Sequence, residues 1–177
     1  ATIPSSEAIG WIDQVTLEFW YFEEGSDGGD EYLVYFSREN SPNGMYGIKN
    51  DWGEFEGSLE SNYTEEYSGC AFNGGTIPQN QWNHVALSYD GSQYYFFVNG
   101  ILEDQGDCAV GPVGDPTGFI DINYHTWSNG SASSSRLTGN IDEMRISNIA
   151  RYTENFTPPN YEFILETRNY IVRLDYY

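Results

Sequence analysis

The sequence predicts an all-β protein, a sandwich of two antiparallel sheets, and three observations predict it. Short aromatic and β-branched runs recur between turn residues at roughly 8 to 15 residue spacing. No long stretch carries apolar residues at helical period. Two tight-turn dipeptides, Asp90-Gly91 and Asn99-Gly100, separate three strand-like runs between Gln81 and Gln105. A two-residue type I′ turn needs positive φ at both positions, which Asn, Asp and Gly tolerate best. The stretch therefore reads as a meander of strands at 82–89, 93–98 and 101 to about 105.

The remaining strands follow in order. In residues 15–22, Val15, Leu17, Phe19 and Tyr21 face one way and Thr16, Glu18, Trp20 and Phe22 the other, the period of a half-buried strand. A Gly-rich turn at 25–30 leads to a strand at 31–37. Strands at 45–49 and 55–59 flank Asn50-Asp51-Trp52-Gly53. After the meander, residues 118–124 alternate, a Ser/Gly-rich loop spans 128–135, and a strand covers 139–147. The segment 148–153 has the length of one helical turn, and 160–167 has no clear period. A last strand lies within 170–177. With 19 Gly, 7 Pro and 17% aromatic residues in 177, this is one domain over residues 1–177. A chain of that length buries a two-sheet core without help from metal or partner.

Charge narrows the partners. Twenty-seven acids against seven bases give −20, and Lys49 is the single lysine. Phosphate backbones and anionic lipid surfaces are repelled by such a chain, so nucleic-acid and membrane-surface roles are disfavoured. No apolar run approaches the roughly 20 residues of a membrane-spanning helix. The chain begins at Ala1 without a Met or a leader pattern, as a processed protein or an excised domain would.

Cys70 and Cys108 flank the meander, whose entry and exit come close. They are either a disulfide closing a 38-residue loop, worth about 4 kcal/mol by chain entropy, or two separate buried thiols. The disulfide implies an oxidising compartment, hence an extracellular setting. Sequons at Asn62, Asn129 and Asn155 are compatible with secretion and also arise by chance.

Three motifs occur in sequence: Trp82-Asn83-His84-Val85-Ala86, then Val98-Asn99-Gly100, then Gly139-Asn140-Ile141-Asp142-Glu143-Met144-Arg145-Ile146. With the early strand ending near Trp20, this order resembles the laminin-G-like jelly-roll domains of the concanavalin A-like lectin/glucanase group over nearly the whole chain. The resemblance implies a jelly roll whose final strand pairs near the first. Ala150 to Pro159 looks like a tail common in such domains of bacteriophage and marine bacterial surface proteins.

Activity is a separate question, because one fold hosts many functions. Retaining glycanases of this fold place two carboxylates on alternate positions of one strand, about 5 Å apart. Their arrangement, Glu-x-Asp-x-(x)-Glu, is absent, and Asp142-Glu143, Glu103-Asp104 and Glu65-Glu66 are neighbours on opposite faces. Neither His84 nor His125 lies near a nucleophile, and zinc spacing is missing. His84 reads as a packed, hydrogen-bonded strand residue. By resemblance, Asp142 is the position that would bind a structural calcium. Sharing a face with Met144 and Ile146, it reads as buried, and the rival partner is Arg145, Arg151 or another arginine. Asp27 and Asp30 lack the order of a calcium-binding loop.

Sugar binding needs aromatic platforms beside polar groups. Trp127 with Tyr124, His125 and Asn129 is the first candidate group, and Trp52 the second; these aromatics equally serve to roof the core. The expected function is a non-catalytic carbohydrate-binding or adhesion module. The alternative is a structural or decoration subunit of a virion or cell surface acting through protein contacts. Partners are thus a glycan, a surface protein or further copies of the chain.

Overall fold

A computed structural model describes residues 2–4, 12–25, 29–37, 44–61, 68–113, 118–123, 138–159 and 172–174. Twelve strands run in the order β1 (Thr2–Pro4), β2 (Val15–Glu23), β3 (Asp30–Ser37), β4 (Gly44–Asp51), β5 (Glu54–Ser61), β6 (Ser68–Thr76), β7 (Trp82–Tyr89), β8 (Gln93–Val98), β9 (Ile101–Asp107), β10 (Phe119–Ile122), β11 (Gly139–Ser147) and β12 (Val172–Leu174). They form two six-stranded sheets, β1-β10-β3-β4-β5-β6 and β12-β11-β2-β7-β8-β9. Every pairing within the sheets is antiparallel.

The alternation read from β2 sets the sandwich. Val15, Leu17, Phe19 and Tyr21 are fully buried between the sheets. Facing residues from the first sheet include Phe36, Ile48, Phe55 and Leu59, and Phe72 stacks on Phe96 across the gap at 4.6 Å. The final strand, β12, pairs with β11, one strand removed from β2.

Two expectations of the meander resolve differently. Asn99 (φ 52°) and Gly100 (φ 76°) form the type I′ turn joining Val98 to Ile101. At Asp90-Gly91 only Gly91 has positive φ, and pairing resumes at Tyr89 and Tyr94. The Asp90 carboxylate accepts the N–H groups of Ser92 and Gln93 at 2.8 Å each, so a wider turn closed by that side chain replaces the tight one.

Strands β1 and β6 escaped the sequence reading. In β6 the pattern fails because Gly74 stands where an apolar side chain is expected, and the Phe96 ring of the opposite sheet fills the space a Cβ would need.

The expected helical turn at 148–153 is not helical. The chain runs back over the outer face of the second sheet instead. Thr16 Oγ1 donates to Ile149 O (2.8 Å) and accepts from Arg151 N (2.9 Å), and Phe156 N donates to Gly100 O (2.9 Å). Tyr152 and Phe156, stacked at 3.6 Å, cover Ala86, Tyr95 and Phe97 in a second small core. This tail covers part of one outer face of the sandwich, and Trp82 on the same face stays exposed.

Candidate functional site

The outer face of the first sheet carries no such strap among the described residues. Register assembles its side chains in two rows. One row crosses four strands as Tyr35, Gly47, Ser58 and Ala71; the next as Tyr32, Lys49, Glu56 and Asn73. The Tyr35 ring lies flat over Gly47, in the space a Cβ there would take, and its hydroxyl shares a 2.8 Å hydrogen bond with Ser58. Lys49 Nζ stands 2.9 Å from Asp30, 3.3 Å from Glu56 and 3.6 Å from Asp51. Asp104, from the edge of the second sheet, closes one side. Its Oδ2 accepts from Asn73 N (3.2 Å) and from the Tyr94 hydroxyl (3.1 Å).

The result is a groove of about 450 Å³ lined chiefly by Tyr35, Lys49, Glu56, Ser58, Asn73 and Asp104. That is the size of a small-molecule site. Burial pushes the Tyr35 hydroxyl up to about 12, against the Ser58 hydrogen bond, so it is neutral at physiological pH and both donates and accepts. For Lys49, burial opposes the charge, but the hydrogen bonds and charges of Asp30, Glu56 and Asp51 outweigh it and hold the ammonium protonated. The groove therefore offers an aromatic ring, hydroxyls, an amide and carboxylates. Those are the groups that recognise a ring with apolar faces and hydroxyl edges.

Trp52 sits at the tip of the β4–β5 hairpin. Its φ of 53° and that of Gly53 (87°) make a tight turn in which a bulky side chain is unfavourable, and 75% of it is exposed. Asn50 holds the turn by accepting Gly53 N at 2.8 Å. The Asn50 amide in turn donates to Glu31 (2.9 Å) and Glu23 (3.4 Å), both fully buried between the sheets beneath the hairpin. Burial raises the Glu23 carboxyl above its ordinary value, and hydrogen bonds from Asn50 and Gln79 oppose the rise. A carboxyl raised on folding contributes its stability below the unfolded pKa and loses it as pH climbs through the folded one. Glu23→Gln is accordingly expected to stabilise the fold at pH 7 by about 1 kcal/mol, with the gain shrinking on acidification. Thermal melts across pH test this; a variant less stable than the parent at pH 7 contradicts it.

The other predicted site residues divide. Cys70 and Cys108 form the disulfide, Cys70 lying within β6. Tyr124, His125, Trp127, Asn129 and Asn62 lie outside the described residues, as does Asp27. Asn155 is exposed, and its Oδ1 accepts from Leu102 N at 2.8 Å. Asp30 is taken up by Lys49. His84 is the packed residue expected, its Nε2 3.2 Å from Glu18.

Asp142 is not on the buried face. A bulge between Asp142 and Arg145, with Glu143 at φ 50°, inserts a residue, so Asp142 pairs opposite Trp20 on the outer face while Met144 and Ile146 point inward. Its Oδ1 accepts Glu143 N at 2.8 Å, and the ion pair proposed for it goes to Glu18 instead, from Arg145 at 2.6 Å. Among the described residues no three Asp, Glu, His or Cys side chains gather to hold a metal.

Sequence reasoning missed the groove itself. Its one available signal was the single lysine falling mid-strand in a chain so acidic, two residues from a glycine whose cross-strand partner is Tyr35.

A family model described as the Concanavalin A-like lectin/glucanases superfamily matches residues 1–155. No curated protein matches the chain at a significant level. Among solved structures, a Bacteroides ovatus ATCC 8483 protein assigned to carbohydrate binding is 17% identical with a TM-score of 0.64; the match covers 85% of this chain but only 42% of that one. A SAP-like pentraxin from Limulus polyphemus, a heptamer, is 15% identical (TM-score 0.59; 86% and 76% covered). The CBM40 of a Ruminococcus gnavus IT-sialidase, bound to α2,6 sialyllactose, is 16% identical (TM-score 0.61; 86% and 92% covered). At these identities the likeness is one of fold.

Proposed function

The chain belongs to the Laminin_G_3 family of the concanavalin A-like lectin/glucanases superfamily, and from that premise we propose that it binds a carbohydrate without cleaving it. The observation that carries this reading is the asymmetry of the two outer faces. The tail covers the Ala86, Tyr95 and Phe97 part of the second sheet and leaves Trp82 exposed beside it, while the first presents an aromatic and polar groove. The sialyllactose-bound CBM40 and the Bacteroides ovatus protein support it as relatives in fold. Catalysis is disfavoured because the two carboxylates lining the groove are engaged elsewhere, Glu56 by Lys49 and Asp104 by Asn73 N and the Tyr94 hydroxyl. The Cys70–Cys108 disulfide supports a setting outside the cytoplasm.

Tyr35 is the platform of the site and Trp52 an outlying contact at its hairpin tip. A Cβ at Gly47 cannot share space with the Tyr35 ring. Gly47→Ala is therefore expected to unseat the ring and weaken glycan binding about tenfold or more, roughly 1.4 kcal/mol, while the circular dichroism of the fold is kept. Binding on a glycan array, followed by titration calorimetry on the hits, tests it. A Gly47→Ala protein that binds as the parent does would remove the groove from the site, and silence of the parent on the array would favour the protein-contact alternative.

A further inference from the structure

We infer that the groove selects uncharged glycans and rejects acidic ones such as sialylated, uronic or sulfated sugars; this rests on the glycan-binding reading above. Binding an acidic sugar requires a cationic donor free to meet it, and Arg is the usual choice because its planar fork matches a carboxylate or sulfate. Among the described residues the groove has one cation, Lys49, already surrounded by Asp30, Asp51 and Glu56 at 2.9 to 3.6 Å. Asp104 adds a fourth carboxylate on the facing wall. The two Arg side chains described, Arg145 and Arg151, lie under the tail on the opposite sheet, at 2.6 and 4.0 Å from Glu18. Four carboxylates against one ammonium leave the groove negative, within a chain of net charge −20. Such a field lowers the local concentration of any anion.

The same groups suit hydroxyls. An ionised carboxylate is an acceptor only, with room on its two oxygens for neighbouring O–H donors. Lys49 fixes the three carboxylates around it in place, and Tyr35 and Ser58 give and take hydrogen bonds without charge. The Tyr35 ring supplies apolar surface for the C–H face of a neutral pyranose or furanose. In this the chain departs from the fold relative seen bound to sialyllactose.

The test uses the intact protein against neutral gluco-, galacto-, manno-, xylo- and arabino-oligosaccharides, each beside a counterpart of the same backbone bearing uronic acid, sialic acid or sulfate. At low salt the neutral member of a pair is expected to bind about tenfold or more tightly than the acidic one. The gap narrows at high salt as the repulsion is screened. Glu56→Gln and Asp104→Asn each narrow it at low salt. An acidic glycan bound as tightly as its neutral counterpart overturns the selectivity and leaves glycan binding standing. Binding to neither class overturns both.

Discussion

Glu18→Ala is expected to lose about 3–5 kcal/mol of folding stability, a large part of what a domain has. Glu18 is an outward residue of β2, the face that alternation assigns to solvent, yet it is completely buried. Arg145 Nε donates to its Oε1 at 2.6 Å, the Tyr152 hydroxyl donates to Oε2 at 3.0 Å, and His84 Nε2 is 3.2 Å away. The tail makes this possible by laying Tyr152 and Phe156 over the sheet. Burial, then the charge of Glu18, pushes the Tyr152 hydroxyl well above its ordinary range, so it stays a donor. Removing the carboxylate strips a buried guanidinium of its counter-charge and leaves the cavity of the lost side chain. Glu18→Gln, which keeps the shape and an acceptor oxygen, is expected to fall between Ala and the parent. Replacing Glu18 and Arg145 together by Leu and Met should cost less than the sum of the single changes, because no charge is then stranded. Urea denaturation at unchanged m-value measures all three. A loss under about 1 kcal/mol for Glu18→Ala would mean that the tail is held by its apolar contacts alone.

How far the sequence led depends on whether a feature is local. Strands β7, β8 and β11 begin and end where the residue pattern places them, because turn residues bound them. The disulfide was legible for the same reason: a meander brings its own entry and exit together. Features made by pairing between distant segments were not legible. Asp142 was put on the inward face because alternation was extended through 142–146, and the bulge at Glu143 flips that assignment without a compositional mark. The groove depends on Tyr35, Gly47 and Ser58 lying in one row, a matter of register over three strands. Nor does alternation reveal which outer face stays open. That is decided by where 148–159 runs, and the resemblance named this tail without giving it a physical task.

Opening the Cys70–Cys108 bond is expected to lower stability by about 4 kcal/mol and the melting temperature by roughly 10 °C. The magnitude comes from the 38-residue loop that the bond closes, which limits the unfolded chain far more than the folded one. Its position gives a second, local consequence. Strand β6 is an edge of the first sheet and β9 an edge of the second, so the bond ties the two layers together at an open seam of the sandwich. Across that seam Asp104 of β9 accepts Asn73 N of β6, and both residues line the groove. Reduction should therefore weaken glycan binding at temperatures where the fold is still intact, and it should do so more than a distant change of similar thermodynamic cost such as Glu18→Ala. The Cys70→Ser, Cys108→Ser double variant separates the bond from side reactions of the reductant. If that variant melts within about 2 °C of the parent, the layers are held by the aromatic core across the gap, Phe72 on Phe96 and Phe55 on Phe96, and the staple is dispensable. If it melts far lower but binds glycan unchanged, the bond stabilises the seam without shaping the groove, and Asp104 is positioned by the Tyr94 hydroxyl and β9 alone.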